Sequence, residues 1–143
     1  MPIANYSTTV NVMKTLGDIQ GMLVSHGARS IIINYSSDKE PESLSFLINT
    51  QFGEMPFHLP ANIDRIVAVM NRGKTKSSVS REQAARVGWR IIRDWVRAQV
   101  AIIETEMVTV EQVFLPYMET KTGKSLYEIM VENRLQISQG NQK

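Results

Sequence analysis

The sequence predicts an α+β fold: a short three-stranded antiparallel sheet covered by helices, with one long amphipathic helix over about residues 81–107 and shorter C-terminal helices. Three observations lead there. β-branched and alternating apolar runs crowd between residues 28 and 60. Helical periodicity then runs unbroken from Arg81 to about Met107. Polar residues in capping patterns stand at Ser80, Thr109 and Ser125.

Taken in order, Thr15 followed by Asp18 caps a first helix, with Leu16, Ile19, Met22 and Leu23 on its buried side and Gly27 as its stop. "ARSIIINYS" reads as a first strand and "SDKEPE" as turn chemistry. "LSFLINT" alternates Leu44, Phe46 and Ile48 against polar neighbours, as a half-buried strand does. "QFGE" is a tight turn and "MPFHLP" a third strand, so short links imply a meander whose apolar face needs a helix over it. Ile63, Ile66, Val67 and Met70 set a helix over 62–71, and "RGKTKSSVS" after it is an exposed basic loop. Ser80 with Gln83 opens the long helix, and Thr109 with Gln112 opens another that Pro116 must bend or end. Ser125 with Glu128 opens a last short helix. Residues 1–136 read as one domain and 137–143 as a frayed polar tail.

Composition narrows the chemistry. With no cysteine, disulfides, thiolate metal sites and thiol nucleophiles are excluded, and His26 and His58 lack metal-ligand spacing. The start has no signal-peptide pattern and no apolar run is long enough to span a bilayer, so a cytoplasmic, cofactor-free protein is expected. "TGKS" at 122–125 resembles the end of a phosphate-binding loop, but Met118 stands where that loop needs glycine. No catalytic motif appears, His58 reads as structural, and an enzyme is not expected.

Charge is the informative feature. Residues 72–97 hold eight Lys/Arg against Glu82 and Asp94, a local +6, while residues 1–71 and 98–143 are each −2. Within that segment Arg86, Arg90, Arg93 and Arg97 fall within about 60° of one another on a helix. The row is either an anion site or a solvated face. Opposite signs are normally mixed on a solvated face, and like charges four apart cost a few tenths of a kcal/mol per pair, about what an anion would relieve. Trp89, at the edge of the row, is either a stacking platform or a core anchor. Opposite the arginines, Ala84, Gly88, Ile91, Trp95, Ala98 and Ile102 form a heptad-like seam for a second helix, either the C-terminal helices or the same helix of another copy.

"IANYSTTVNVMKTLGDIQGML", "REQAARVGWRIIRDWVRAQVAIIETEM" and "EQVFLPYM" resemble a set of uncharacterised short proteins of phage and prophage genomes, over most of the chain from Pro2 to about Tyr127. The resemblance implies a phage origin and a host-cell compartment, and assigns no functional residues. The layout, a small sheet followed by long helices, is similar in outline to phage anti-defence proteins whose oligomers sequester cyclic-nucleotide or ADP-ribose-type signals.

The leading expectation is therefore a non-enzymatic homo-oligomer that sequesters a small phosphate-bearing nucleotide. Arg86, Arg90, Arg93 and Arg97 would bind its phosphates. Trp89 would flank them, and Arg72, Lys74, Lys76, Ser80 and Arg81 would close over the ligand at a helix N-terminus. Two rivals use the same row: nucleic-acid binding along a phosphate backbone, and inhibition of a host protein through an acidic surface.

Overall fold

A computed structural model of the chain describes residues 2–73 and 78–133. It is α+β, with elements α1 (Val12–Ser25), β1 (Ala28–Tyr35), β2 (Pro41–Thr50), β3 (Gly53–Pro60), α2 (Ile63–Met70), α3 (Arg81–Glu104), α4 (Val110–Phe114) and α5 (Leu126–Glu132), and a 3-10 turn over Leu115–Tyr117. The strands form the expected antiparallel meander in the order β1-β2-β3. Among the described residues no helix is long and apolar enough to cross a membrane. Lys74 and Lys76 of the basic loop, and the tail from 137 onward, lie outside the described residues.

The helix ends follow capping chemistry with two departures. α1 starts three residues before Thr15, because the Asn11 side chain accepts from Met13 N at 2.7 Å; Thr15 is buried against α3 instead. At Ser80 only half of the capping box forms. The serine accepts from Gln83 N, but the glutamine amide donates to the carbonyls of Tyr6 and Thr8. The boxes at Thr109/Gln112 and Ser125/Glu128 are complete. Pro116 converts α4 into the 3-10 turn, as its missing N–H and fixed φ require. α3 ends at Glu104, a turn short of Met107, where Thr105 caps it and Glu106 turns to φ 65°.

The register puts Leu44, Phe46 and Ile48 of β2 beside Ile31 and Ile33 of β1 and Phe57 and Leu59 of β3, all on one face. That face carries the core with Leu16, Ile19 and Leu23 of α1 and Trp89 and Val96 of α3. Phe46 and Phe57 stack at 5.3 Å, Phe114 meets Phe46 edge-on at 5.4 Å, and Trp95 joins Phe114 to Tyr117. The long helix is rotated relative to the predicted seam. Trp89, Val96 and Val100 are buried, whereas Ala98 and Ile102 are exposed. The cause is that α3 has neighbours on both flanks. α2 packs at Gly88, where a Cβ would meet Ile66 at 3.2 Å, and α1 packs on the other side. α1 runs parallel to α3: Thr15 and Asp18 meet Arg90, and His26 meets Glu104 fourteen residues further along.

Candidate functional site

Two members of the arginine row, Arg90 and Arg93, lie against α1. Arg90 donates to Asp18 at 3.2 Å, and Arg93 holds the same carboxylate at 3.6 Å and its neighbour Asp94 at 3.2 Å. Both guanidinium-bearing side chains are only about a fifth exposed. Arg86 turns toward its own helix, its Nε donating to Gln83 Oε1 at 2.9 Å. Arg97 is exposed and pairs with no carboxylate among the described residues. The acid absent from the row in one dimension is supplied by another helix. Lys14, hydrogen-bonded to Asp18, and then Arg90 and Arg93 hold its carboxyl below the usual carboxylate range. Asp94 is lowered likewise, first by a hydrogen bond from Asn5 and then by Arg93.

The other predicted ligand groups are dispersed. Trp89 has no exposed surface and donates its indole N–H to Pro41 O at 3.3 Å, so it is a core anchor and not a stacking platform. The Ser80 hydroxyl is committed to the helix cap. Arg72 follows α2 on the exposed side of its last turn. Arg81 lies about 120° or further around the helix from each member of the row. It forms ion pairs with Asp64 at 2.6 Å and Glu40 at 3.0 Å, which stabilise its charged form further. The cavity that Arg86 lines, between the starts of α1 and α3, also holds Asp38, Glu40 and Glu82 beside Lys39, so acids outnumber bases and it does not favour an anion.

A different surface is built for a ligand. Alternation along the strands sends Asn34, Ser43, Ser45 and His58 to the face of the sheet away from the core. Among the described residues no apolar cluster covers them: Ile32 beside them is 57% exposed, Ser43 is buried and the other three are half-buried. They are joined by hydrogen bonds, Asn34 Nδ2 donating to Ser43 Oγ at 2.9 Å and Ser45 Oγ sharing a 2.8 Å bond with His58 Nδ1. A groove of about 790 Å³ lies over them, rimmed by Glu40, Glu42, Asp64, Arg81 and Glu119. Glu119 reaches this rim because Met118 bridges to Phe57 and Glu119 N donates to Pro56 O at 2.9 Å, tying the C-terminal segment to the edge of β3.

Four carboxylates against one guanidinium give the groove a formal −3 with His58 neutral. Arg81 is already shared between Glu40 and Asp64, and Glu42 and Glu119 have no cationic partner among the described residues. The site attracts cations and repels phosphate. The carboxylates ring the groove without converging: among the described residues no group of three or more His, Cys, Asp or Glu side chains could hold a metal ion. Ser45 and His58 place a hydroxyl beside an imidazole, yet no carboxylate hydrogen-bonds that ring among the described residues, so the orienting member of a nucleophilic triad is missing. Sequence reasoning missed this face, although the signal was present. The residues that alternate with the core positions in "LSFLINT" and "MPFHLP" include Ser45 and His58.

No family model, no curated protein and no solved structure matches this chain.

Proposed function

We propose that this chain is a non-enzymatic binding protein whose ligand is a basic segment of another protein, held in the acidic groove over the open face of the sheet. The observation that carries this reading is the pair of carboxylates, Glu42 and Glu119, without a cationic partner among the described residues, above a polar hydrogen-bonded floor. A guanidinium or ammonium group entering between them gains charge-assisted hydrogen bonds, while the half-buried Ser45 and Asn34 can bond a peptide backbone. Of the three functions expected from the sequence, interaction with a protein survives best, with its polarity reversed: the acidic surface belongs to this chain. A phage origin is supported by the resemblance of the sequence alone. Assembly of copies through α3 is supported by the exposed Ala98 and Ile102, beyond the point where Trp95 turns to the C-terminal segment.

Titration of a fluorescent Arg/Lys-containing peptide into the protein at low and moderate salt tests the proposal. The expected result is saturable binding that weakens about tenfold in the Glu42→Gln/Glu119→Gln double variant, roughly the loss of one well-placed ion contact. No binding by the native protein, together with a rise in melting temperature on adding cyclic nucleotides or ADP-ribose, would overturn it.

The nucleotide and nucleic-acid readings keep one supporting observation: half-buried Arg86 and exposed Arg97 have no carboxylate partner among the described residues. Arg86 and Arg97 stand eleven residues apart, about 16 Å along the helix, too far to clamp one phosphate as four adjacent guanidinium groups would.

A further inference from the structure

The acidic groove has a neighbour at His58. That histidine and Pro60 also line a second cavity of about 550 Å³ on the β3 side of the sheet. Its walls differ in kind. Pro116 and Tyr117 come from the 3-10 turn, and Tyr127 comes from the first turn of α5. Tyr117 is fixed in place by its edge-on contact with Trp95, ring centroids 5.4 Å apart, whereas Tyr127 is 57% exposed and presents its ring to the cavity. A cleft with one carboxylate-rimmed half and one tyrosine- and proline-walled half is chemically two-sided. The acidic half selects a cation. The aromatic half selects a flat apolar ring that needs no hydrogen-bond donor of its own.

Resting on the reading above, we infer that the two cavities form one bipartite cleft for an extended, proline-containing peptide, with an Arg or Lys in the acidic half and a proline against Tyr117 and Tyr127. A proline-rich segment already populates the extended polyproline conformation, so it loses little entropy on lying along such a cleft, and aromatic walls suit its rings. The backbone carbonyls of such a segment, left without internal partners, can be met by the polar floor that includes Ser45. Glu128, at the tyrosine end, keeps its carboxylate because Ser125 N–H donates to it, so both ends of the cleft disfavour phosphate.

Three peptides of one length separate this inference from the reading it rests on. One carries Arg residues next to a P-x-x-P segment, one replaces its prolines by glycine, and one replaces its arginines by glutamine. Fluorescence anisotropy on the full chain is expected to show the first binding about tenfold tighter than either of the others, the difference of a single anchoring contact. Tyr127→Ala, at an exposed position that leaves the core intact, should remove the margin of the first peptide over the glycine peptide without weakening the latter. Equal binding of the first two peptides would overturn the proline half and leave the acidic groove standing. Equal binding of the first and third would overturn the acidic half. Failure of all three, or spermine binding as tightly as the first peptide, would overturn the bipartite cleft, and failure of all three would also remove the basic-segment reading.

Discussion

On α3, Arg90 and Arg93 share one carboxylate of α1 and keep about a fifth of their side-chain surface. Across the sheet, Glu42 and Glu119 face a groove with no cation to meet them among the described residues. The first region is the more highly charged in sequence, and the second is the more available to a ligand. Charge density along a chain measures how many ions a segment brings; available charge is what is left once the fold has paired them. Here the local +6 of residues 72–97 is drawn down by Asp18, 72 residues before Arg90, and by Glu40 and Asp64 around Arg81. Glu42 of β2 and Glu119 of the C-terminal segment are left over among the described residues, whereas Glu54 is paired with Arg29.

The largest effect should come from adjacent residues of β2 that point to opposite sides of the sheet. Leu44 has no exposed surface, so Leu44→Ala is expected to cost about 2–5 kcal/mol by lost burial and a residual cavity. Ser45→Ala removes only hydroxyl contacts on the open face and should cost within about 1 kcal/mol. Chemical denaturation of the two variants measures both. Similar losses would mean that the second face is packed rather than open, and the groove would not exist in solution.

Asp18 tests the other side of the comparison. Its folded pKa is lowered, so the stability it contributes is fully present above the unfolded value, near 3.9, and is lost as pH falls through the lower folded value. Asp18→Asn should lower the melting temperature at neutral pH and flatten the fall seen in the native protein below about pH 4. The variant also releases Arg90 and Arg93 from their shared partner. Inorganic phosphate should then raise its melting temperature and leave that of the native protein unchanged. Equal stabilisation of both proteins by phosphate would show that the arginine row takes anions with Asp18 in place.

Most of the architecture was legible because it depends on local patterns: the period-2 alternation of "LSFLINT", the unbroken helical phase after Arg81, and three capping sequences that each mark a helix start. The site was not legible, because pairing across elements decides it. Nothing near Arg90 in the chain announces Asp18, since i,i+4 rules reach only within one helix. The burial of Trp89 depended on two flanking helices, α1 and α2, which rotate the buried arc of α3 away from the seam that heptad spacing suggests. Glu119 joins the groove only through the bridge of Met118 to Phe57, a pairing with no sequence signature. By contrast, Ser45 and His58 follow from alternation alone once the core face is assigned.

Arg81 separates the two readings by sign. As part of an anion site it would be needed, and Arg81→Ala would weaken nucleotide binding. In the acidic groove it neutralises Glu40 and Asp64, so the same variant should strengthen binding of a basic peptide by about twofold to fivefold at low salt, the range of an exposed ion pair. A Kd measured by anisotropy on the native and variant proteins gives the direction directly, and a weaker Kd for the variant would count against the groove.

The smallest effect is expected at Arg97, and its smallness is informative. It is the member of the row that is exposed and has no carboxylate partner among the described residues, so its removal leaves no buried charge uncompensated. Arg97→Ala should change stability within about 0.5 kcal/mol by chemical denaturation, as surface substitutions away from packing do. It should also leave the affinity for a basic peptide unchanged, because Arg97 stands on α3, which packs on the core face of the sheet, and does not line the groove over the other face. A gain in stability from relieving repulsion among the arginines would still fit, since Asp18 neutralises only part of that row. A loss of nucleotide or DNA binding on this single exposed substitution is the one result at Arg97 that would return the arginine row to the centre of the function.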